Sequence, residues 1–333
     1  MTEAEQAAAV RRGAGLFRLE DRGLVSVGGD DRRRWLDGMI SNDVAALEPG
    51  PERSGCYALL LSRTGRIVAD LHVLLRGDSY WLETERAFAA PLIATLDRFV
   101  IADDVRLADR SAEFARLAIE GPAAADVLVA AAGQSVTLAP EACAELEIGG
   151  VACLAAAFGW SGEAAYQIFA PRLSADAVAA ALCTAGADRG LVEATAGALE
   201  VLRIEAGVPR LGAELDEEVL PPEARLERAI STTKGCYTGQ EVVARLASRG
   251  RVKHLLVGLR CEGDALPPAG AQVEHAGEKI GDVTSACHSP AAGAIALAYV
   301  RRPHDEPGTR VVAGDCAARV AALPFVSSAR SGA

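Results

Sequence analysis

The sequence predicts an α+β protein with a separate β-barrel at its C-terminal end. Up to about residue 247, short apolar runs typical of strands alternate with helical segments, without a regular strand–helix–strand repeat. From residue 252 onward, the chain has six short apolar runs between Gly and Pro turns and no convincing helix. A series of strands without helices favours a small barrel or sandwich. We therefore predict a mixed region over 1–247 and a barrel over 248–333.

The mixed region begins with a strand and a helix, followed by a meander. The apolar run LVSV at 24–27 predicts a strand, and RRRWLDGMI at 32–40 places its apolar residues on one helical face. Three β-rich runs separated by turns then predict an antiparallel meander, at 56–61, 66–76 and 79–84.

Further helices are predicted downstream of the meander. The segment 87–101 is predicted as a helix with Pro91 in its first turn, where proline is tolerated. The segment 122–133 is predicted as a helix that ends at Gly133, a residue type that often terminates helices. Another helix is predicted to begin near Gly239.

The composition excludes several classes of protein. Half of the 333 residues are hydrophobic and 24% are charged, which is the balance of an ordinary globular chain. The net charge of −11 gives no positive field for a phosphate backbone, so we expect no direct nucleic-acid partner. The N-terminus carries acids rather than a positive signal region, and no apolar run approaches the roughly 18 residues that span a bilayer. We expect a cytoplasmic protein without a membrane partner.

The eight cysteines do not form the close pairs that zinc sites, iron–sulfur sites or dithiol redox motifs use. The five histidines show no helical ligand spacing, so no metal site is predicted. Most of the cysteines are expected to be small buried hydrophobes. Cys236 has different surroundings, because it lies in a glycine-containing octapeptide.

The octapeptide KGCYTGQE comprises Lys234, Gly235, Cys236, Tyr237, Thr238, Gly239, Gln240 and Glu241. Its two glycines allow close approach of a ligand, and the helix predicted after it presents a positive N-terminal end. That helix end and the neighbouring Lys234 are two reasons for a lowered thiol pKa at Cys236. Two interpretations stay open at this point, a reactive thiolate or a turn that packs a small cysteine.

This octapeptide resembles the signature of the YgfZ family, folate-binding relatives of the glycine-cleavage T-protein (aminomethyltransferase) that include proteins of iron–sulfur cluster assembly. T-proteins are similar at this position but lack the cysteine, so Cys236 favours the YgfZ branch. Further segments resemble the superfamily in order along nearly the whole chain. They are WLDGMISND (35–43), GRIVADL (65–71), FGWSGEAAYQI (158–168), LRIEAGVPRLGAEL (202–215) and LPPE (220–223).

The resemblance implies a folate-binding ring of α+β subdomains with a C-terminal barrel, and tetrahydrofolate or a derivative as ligand. The pterin-binding glutamate of T-proteins falls at Gln167, which keeps an acceptor but lacks the charge. Glu163 is a candidate to compensate, or else a structural residue. Arg203 is a candidate for the folate tail or for an internal ion pair. Lys234 and Tyr237 of the octapeptide are further candidate folate contacts.

Catalysis by T-proteins relies on a pair of acids that is reduced here to Ala69-Asp70. Asp70 is therefore the candidate acid or base, with a salt-bridged structural role as the alternative. Loss of the T-protein reaction is the favoured consequence, because a correctly placed acid is needed.

Three functions are carried forward from these residues. The leading one is a tetrahydrofolate-binding accessory protein for iron–sulfur cluster assembly or repair, which indirectly supports tRNA-modifying enzymes. In that role Cys236 is the functional thiol, and it ligates a cluster transiently with ligands from a partner, since one cysteine cannot complete a four-thiolate site. The expected partners are then folate and iron–sulfur enzymes or assembly proteins. The alternatives are a folate-dependent aminomethyltransferase or demethylase that uses Asp70, and a folate-sensing module without chemistry.

Overall fold

The computed structural model describes residues 1–250 and 252–328. It has two open sheets and a closed barrel, which is the predicted α+β architecture with a C-terminal β-barrel. The first open sheet has five strands in the order β3-β4-β5-β2-β6. Its strands are β2 (Arg22–Gly28), β3 (Gly55–Leu61), β4 (Ile67–Arg76), β5 (Ser79–Glu85) and β6 (Arg106–Asp109).

The second open sheet has six strands in the order β11-β1-β7-β10-β9-β8. Neighbouring strands are antiparallel except for β1 and β11, which run parallel. Its strands are β1 (Ala14–Arg18), β7 (Phe114–Glu120), β8 (Cys143–Ile148), β9 (Val151–Ala156), β10 (Ala165–Pro171) and β11 (Leu191–Ala194).

The barrel closes in the strand order β12-β15-β14-β13-β16-β17. Each of the six apolar runs that predicted it forms one strand. The strands are β12 (His254–Cys261), β13 (Gln272–His275), β14 (Glu278–Ser289), β15 (Gly293–Arg301), β16 (Arg310–Ala313) and β17 (Cys316–Ala321). Its interior is filled by small and branched apolar side chains such as Val257, Leu259 and Ala298.

The helices cover the open sheets and join them to the barrel. Helices α4 and α5 pack on the second sheet, and α6 contacts both α1 and barrel strand β14. The helices are α1 (Glu3–Arg12), α2 (Arg32–Met39), α3 (Arg86–Asp97), α4 (Ala124–Ala132), α5 (Ala175–Gly186), α6 (Ala196–Ala206) and α7 (Gln240–Arg249). Among the described residues, no helix has both the length and the apolar character needed to cross a membrane.

Most elements match their predictions, and two details differ. The meander β3–β4–β5 is antiparallel as predicted, and α4 ends at Gly133 in the left-handed conformation. Helix α3 ends at Asp97 rather than near residue 101, and Pro91 is its sixth residue rather than part of its first turn. That placement was wrong: the helix continues through the proline and loses one backbone hydrogen bond there.

Helix α1 was not predicted, although its start carries a recognisable signal. The Thr2 hydroxyl accepts a hydrogen bond from the backbone N–H of Glu5, and the Glu5 side chain bonds back to the Thr2 backbone. This reciprocal capping box satisfies two free donors at the helix start. The spacing Thr-x-x-Glu ahead of an alanine-rich run is therefore the pattern that identifies this helix.

Candidate functional site

A cavity of about 280 Å³ lies where the end of β1, the start of β2, the end of β5 and the start of α6 meet. Its wall combines an aromatic ring with several charged side chains. The lining residues are Leu19, Asp21, Arg22, Glu85, Trp160, Ala196, Gly197, Leu199, Glu200, Arg203 and Arg210. This volume is at the small end of the roughly 300–1,000 Å³ typical of ligand sites. The cavity therefore suits part of a large ligand rather than the whole of one.

Arg22 at the start of β2 organises the charges of the cavity wall. Its Nε and Nη2 donate to the two carboxylate oxygens of Glu83 over 2.5 and 2.9 Å, and its Nη1 donates to Glu85 Oε1. Its guanidinium also lies 4.7 Å from the ring centroid of Trp160. This cation–π contact and the paired carboxylates fix the Arg22 side chain in one orientation.

Glu83 is shared between two arginines behind the cavity wall. It is completely buried, and its Oε1 lies 3.1 Å from Arg116 Nη1 in addition to its bonds from Arg22. Burial opposes ionisation, but the two guanidinium groups outweigh it and lower the pKa of Glu83. Burial also lowers the pKa of Arg116 to about 10, although the Glu83 carboxylate opposes that effect. Glu83 is therefore an ionised structural anion.

Glu85 differs from Glu83, because only one of its oxygens is paired. Burial raises the pKa of Glu85 to about 7, against the opposing effect of Arg22. Within residues 1–250 and 252–328, no hydrogen bond reaches its Oε2. Nearby, the Nε of Arg210 is buried without a hydrogen-bond partner. The cavity wall thus has an acceptor that no described residue bonds, whereas the unpaired Arg210 N–H is buried behind the wall.

Asp70 lies on β4, where its Oδ2 accepts a hydrogen bond of 2.9 Å from the hydroxyl of Tyr57 on β3. Burial raises the pKa of Asp70, although Arg22, His72 and the Tyr57 hydroxyl favour the ionised form. Asp70 does not line the cavity, but Arg22 both lines it and interacts electrostatically with Asp70. A carboxyl group with a raised pKa is suited to general acid–base work.

Gln167 is fully buried, and its amide is engaged inside the protein. Its Nε2 donates to the Phe158 carbonyl over 3.1 Å and to Glu120 over 3.4 Å, while its Oε1 accepts from Arg116 Nη2 over 3.1 Å. Gln167 is not among the residues that line the cavity. In this arrangement its acceptor does not face a ligand.

Glu163 is held by Arg11 of helix α1, a residue that the sequence did not single out. Arg11 Nη1 donates to Glu163 over 2.8 Å, and its Nε and Nη2 donate to Glu205 over 3.0 and 2.8 Å. Glu205 also accepts a hydrogen bond of 2.5 Å from the Ser289 hydroxyl on β14. Glu163 and Glu205, which lie in two of the segments that resemble the superfamily, are therefore bound by the same arginine. Arg11 thus links α1 to α6 and, through Glu205 and Ser289, to the barrel.

Arg203 on α6 has all five of its N–H donors engaged within the protein. Its guanidinium binds both oxygens of Glu200 at 2.8 and 2.6 Å, and Glu214 at 2.9 Å. The remaining donors reach the Val208 carbonyl at 2.6 Å and the Ser285 hydroxyl on β14 at 2.9 Å. Of its two candidate roles, this geometry supports the internal ion pair.

Lys234 of the octapeptide is also engaged in holding the fold together. Only 1% of its side chain is exposed, and its Nζ donates to the carbonyls of Asp37, Ile40 and Asn42 at 2.5, 3.0 and 2.8 Å. The same amine lies 3.0 Å from the Asp37 carboxylate. It therefore caps the C-terminal end of α2, where free carbonyls favour a cation.

The rest of the octapeptide forms a tight loop that leads into α7. Gly239 has a φ of +83°, and a Cβ there would lie 2.6 Å from the Ser62 carbonyl oxygen, so only glycine fits. Gln240 is the first residue of α7, and the exposed Glu241 lies in its first turn. Tyr237 is buried, and its ring centroid lies 5.5 Å from Lys234 Nζ.

Cys236 stands at the exposed part of this loop, next to the exposed Gly235. The other seven cysteines are buried or partly buried. In the part of the chain that the structure describes, no group of three or more His, Cys, Asp or Glu side chains could hold a metal ion. Cys236 is not a lining residue of the cavity.

The cavity residues were largely missed at the sequence level. Arg22, Glu85 and Arg210 belong to three separate segments, and each is an ordinary charged residue in its local sequence. Trp160 lies in the GWSG segment, which was noted only for its resemblance to the superfamily. In LEDRG at 19–23, Arg22 directly follows two acids. That local pattern does not by itself predict a binding site.

Comparison with known proteins covers nearly the whole chain. Residues 2–234 match the family model described as the GCVT N-terminal domain, and residues 255–327 match the glycine cleavage T-protein C-terminal barrel domain. A protein of Saccharopolyspora erythraea named aminomethyltransferase is 34% identical over 95% of this chain and 88% of its own length. A protein of the same name from Rubrobacter xylanophilus is 34% identical over 97% of this chain and 86% of its own length.

A solved structure is similar over the same extent. The glycine cleavage system aminomethyltransferase T of Bartonella henselae is 26% identical and superposes with a TM-score of 0.86. The match covers 98% of this chain and 90% of that one.

Proposed function

Because the chain belongs to the glycine cleavage T-protein family, we propose that it binds tetrahydrofolate in the cavity beside Arg22 and transfers a one-carbon unit to it. The observation that carries the proposal is the composition of that cavity. It brings an aromatic wall, a carboxylate oxygen that no described residue bonds, and the guanidinium groups of Arg22 and Arg210 into one space.

The residues of the cavity suit the parts of a folate. The indole of Trp160 offers an apolar wall to a flat ring, and Glu85 offers an acceptor to ring N–H groups. Arg210 has a side chain that is 40% exposed, and it offers donors to the anionic glutamyl tail. Since the cavity holds only part of the ligand, the tail extends past Arg210 toward solvent.

Asp70 is the residue proposed to move a proton. In the reaction, two nitrogens of tetrahydrofolate bond to the aminomethyl carbon, and the bonds from that carbon to its nitrogen and to its carrier break. The two N–H protons of tetrahydrofolate end on the leaving groups, which depart as ammonia and the protonated carrier, and the product is methylenetetrahydrofolate. The departing amine needs a proton, and the raised pKa of Asp70 lets its carboxyl hold one closer to neutral pH than an ordinary aspartate does. Because Asp70 does not line the cavity, it delivers the proton through one bridging water. Tyr57 orients that carboxyl through its hydroxyl.

The direct test is formation of methylenetetrahydrofolate by the anaerobically purified protein from an aminomethyl donor, whose carbon already has the oxidation level of the product. We expect turnover by the unsubstituted protein and a loss of about 100-fold or more in Asp70→Asn, which is the usual scale for a general acid. Asp176→Asn is the matched control, since the Asp176 side chain is 94% exposed. Absence of turnover with every such donor would refute the transfer reaction and leave only the proposed binding.

A second candidate function is the accessory role in iron–sulfur cluster assembly or repair, and the exposure of Cys236 supports it. The octapeptide loop presents this thiol to solvent, while Lys234 and Gly239 fix the loop against α2 and the β3–β4 turn. A partner supplying the remaining ligands could reach it there. Family relatives named aminomethyltransferase favour the transfer reaction over this role.

The two functions are separated by the Cys236→Ser variant. The accessory role requires that this variant fail to support iron–sulfur enzymes in cells that lack the native protein. The transfer reaction requires that the same variant keep full turnover, because Cys236 is not a cavity residue. Full support of cluster-dependent enzymes by Cys236→Ser would remove the accessory role.

A further inference from the structure

We propose that Glu85 recognises the donor edge of the pterin ring in this chain, a role that the superfamily resemblance assigns to position 167. The inference deepens the proposed folate binding and rests on it. A pterin presents adjacent N–H donors along one edge, and a carboxylate accepts from such a pair through its two oxygens or through one shared oxygen. The question is which acid of this protein is placed to do so.

Position 167 does not meet that requirement here. Its side chain is a glutamine, which brings donors of its own to an edge that already consists of donors. The amide is fully buried and bonded to Phe158, Glu120 and Arg116. Turning Gln167 toward a ligand would leave Glu120 and Arg116 with one buried hydrogen bond fewer each, which is unfavourable.

Three acidic side chains line the cavity, and they differ in what they can still accept. Glu200 has both oxygens bonded to Arg203, at 2.6 and 2.8 Å. Asp21 is an exposed residue, so water competes for its carboxylate. Glu85 is buried in the wall, with Oε1 bonded to Arg22 and no bond to Oε2 from the described residues. Its side chain is 10% exposed, so Glu85 is the lining acid with a mostly shielded acceptor that is still open to the cavity.

The surroundings of Glu85 also favour a flat ring. Arg22 holds the Glu85 carboxylate through Oε1, and the same guanidinium lies over the Trp160 ring. The free acceptor and the aromatic wall are thus fixed relative to each other by one side chain. When the N–H groups of a bicyclic ring donate to Glu85, the ring lies beside the Trp160 indole and the Arg22 guanidinium. Both groups can then contact a face or an edge of the ring.

The protonation state of Glu85 gives the proposal a second, independent readout. Its pKa of about 7 means that a large fraction of the carboxyl is protonated in the ligand-free protein near neutral pH. Ring N–H donors favour the ionised form, so binding lowers the pKa of Glu85 and releases a proton. Affinity for a pterin should then rise with pH up to about 7 to 8 and level off above it.

The experiment is anaerobic calorimetry at pH 8 with two probes, tetrahydrofolate and p-aminobenzoylglutamate, which lacks the pterin. We expect Glu85→Gln to weaken tetrahydrofolate at least tenfold, because a carboxylate acceptor becomes an amide. The pterin-free probe should change less than twofold. Glu145→Gln is the matched control, since Glu145 has a side chain that is 69% exposed and does not line the cavity, and it should leave both affinities within twofold.

A folded Glu85→Gln protein that binds tetrahydrofolate as tightly as the unsubstituted chain would overturn the assignment of Glu85 and leave the folate proposal standing. Failure of the unsubstituted chain to bind tetrahydrofolate would instead overturn both. If the variant does not fold, the unsubstituted protein still decides the matter through proton release, measured at pH 7 in buffers of different ionisation enthalpy. Release of a proton with tetrahydrofolate but not with the pterin-free probe supports Glu85, and equal release with both contradicts it.

Discussion

The octapeptide loop and the cavity beside Arg22 use their polar groups in opposite ways. In the loop, Lys234 binds three carbonyls and a carboxylate, and Gly239 packs against a neighbouring carbonyl. These residues hold the loop in place and present one exposed thiol, Cys236. Most residues of the octapeptide therefore serve to hold the loop that exposes the Cys236 thiol.

The cavity shows the reverse arrangement. Its residues come from inconspicuous sequence segments, yet Glu85 Oε2 and Arg210 Nε stay unpaired among the described residues. Burying polar groups without partners costs free energy, and such groups are uncommon in folded proteins. The difference teaches that a conspicuous motif can serve mainly to hold a loop, while the groups that line a cavity come from segments without a motif.

The largest effect is expected from removing the charge that organises the cavity. Arg22→Met leaves Glu83 with one arginine and Glu85 with none, so we expect a loss of about 3–5 kcal/mol in the free energy of unfolding. Chemical denaturation measures it. Arg18→Met is the matched control, because Arg18 pairs with Asp176 at the surface and should cost less than about 1 kcal/mol. Equal losses in the two variants would contradict the role given to Arg22.

The pH dependence of stability tests the burial of Glu85. Its pKa is about 7 in the folded chain, above the 4.5 of an unperturbed glutamate, so the unfolded chain loses this proton first. This contribution to stability is therefore present at low pH and lost as the pH rises through about 7. At about 1.4 kcal/mol per pKa unit, the rise from 4.5 to about 7 corresponds to a loss of about 3–4 kcal/mol. The difference in the free energy of unfolding between the unsubstituted chain and Glu85→Gln should change by this amount between pH 4 and 8. Two parallel curves would contradict the raised pKa of Glu85.

The scaffold role of the octapeptide is tested by Lys234→Met. The change leaves three carbonyls at the end of α2 without their donor, and we expect a loss of about 1–3 kcal/mol in the free energy of unfolding. Lys279→Met provides the comparison, since Lys279 forms a surface pair with Asp282 in which both side chains are 49% exposed. If the two lysine variants lose the same stability, Lys234 is not a structural residue.

The smallest effect on stability is expected at the thiol itself. Cys236→Ser should change the free energy of unfolding by less than about 0.5 kcal/mol, as surface substitutions usually do. In a thiol-labelling time course on the folded protein, Cys236 should react first, and the fast phase should vanish in the variant. A fast phase that persists in Cys236→Ser would show that another cysteine is the accessible one.

Much of the fold could be predicted from local pattern. The six runs after residue 252 each became a barrel strand, and the Gly-rich octapeptide leads into α7 as its glycines indicate. These features depend on turn residues and strand periodicity, which act over a few neighbouring residues. Helix α3 shows the limit, because tertiary packing of Ala89, Leu92 and Leu96 retains the helix around Pro91.

The candidate site could be predicted only in part, for a physical reason. Asp70 was identified because it stands in a recognisable segment. The pairing of Arg22 with Glu83 and Glu85 spans 61 and 63 positions of sequence, and the Arg11–Glu205 bond spans 194. Residues so far apart in sequence become partners through the packing of whole helices and strands. The spacing of residues along the chain does not predict that packing.

The central claim, that the cavity beside Arg22 holds tetrahydrofolate, is tested most directly by closing its mouth. Ala196 is an exposed residue that lines the cavity, so Ala196→Phe adds a ring at the entrance with little effect on the core. Ala180→Phe, at an exposed position on α5 away from the cavity, is the control. In anaerobic calorimetry we expect tetrahydrofolate to bind the unsubstituted chain and the control alike and to bind Ala196→Phe at least tenfold more weakly. Equal binding by all three proteins, or binding by none, would contradict the claim.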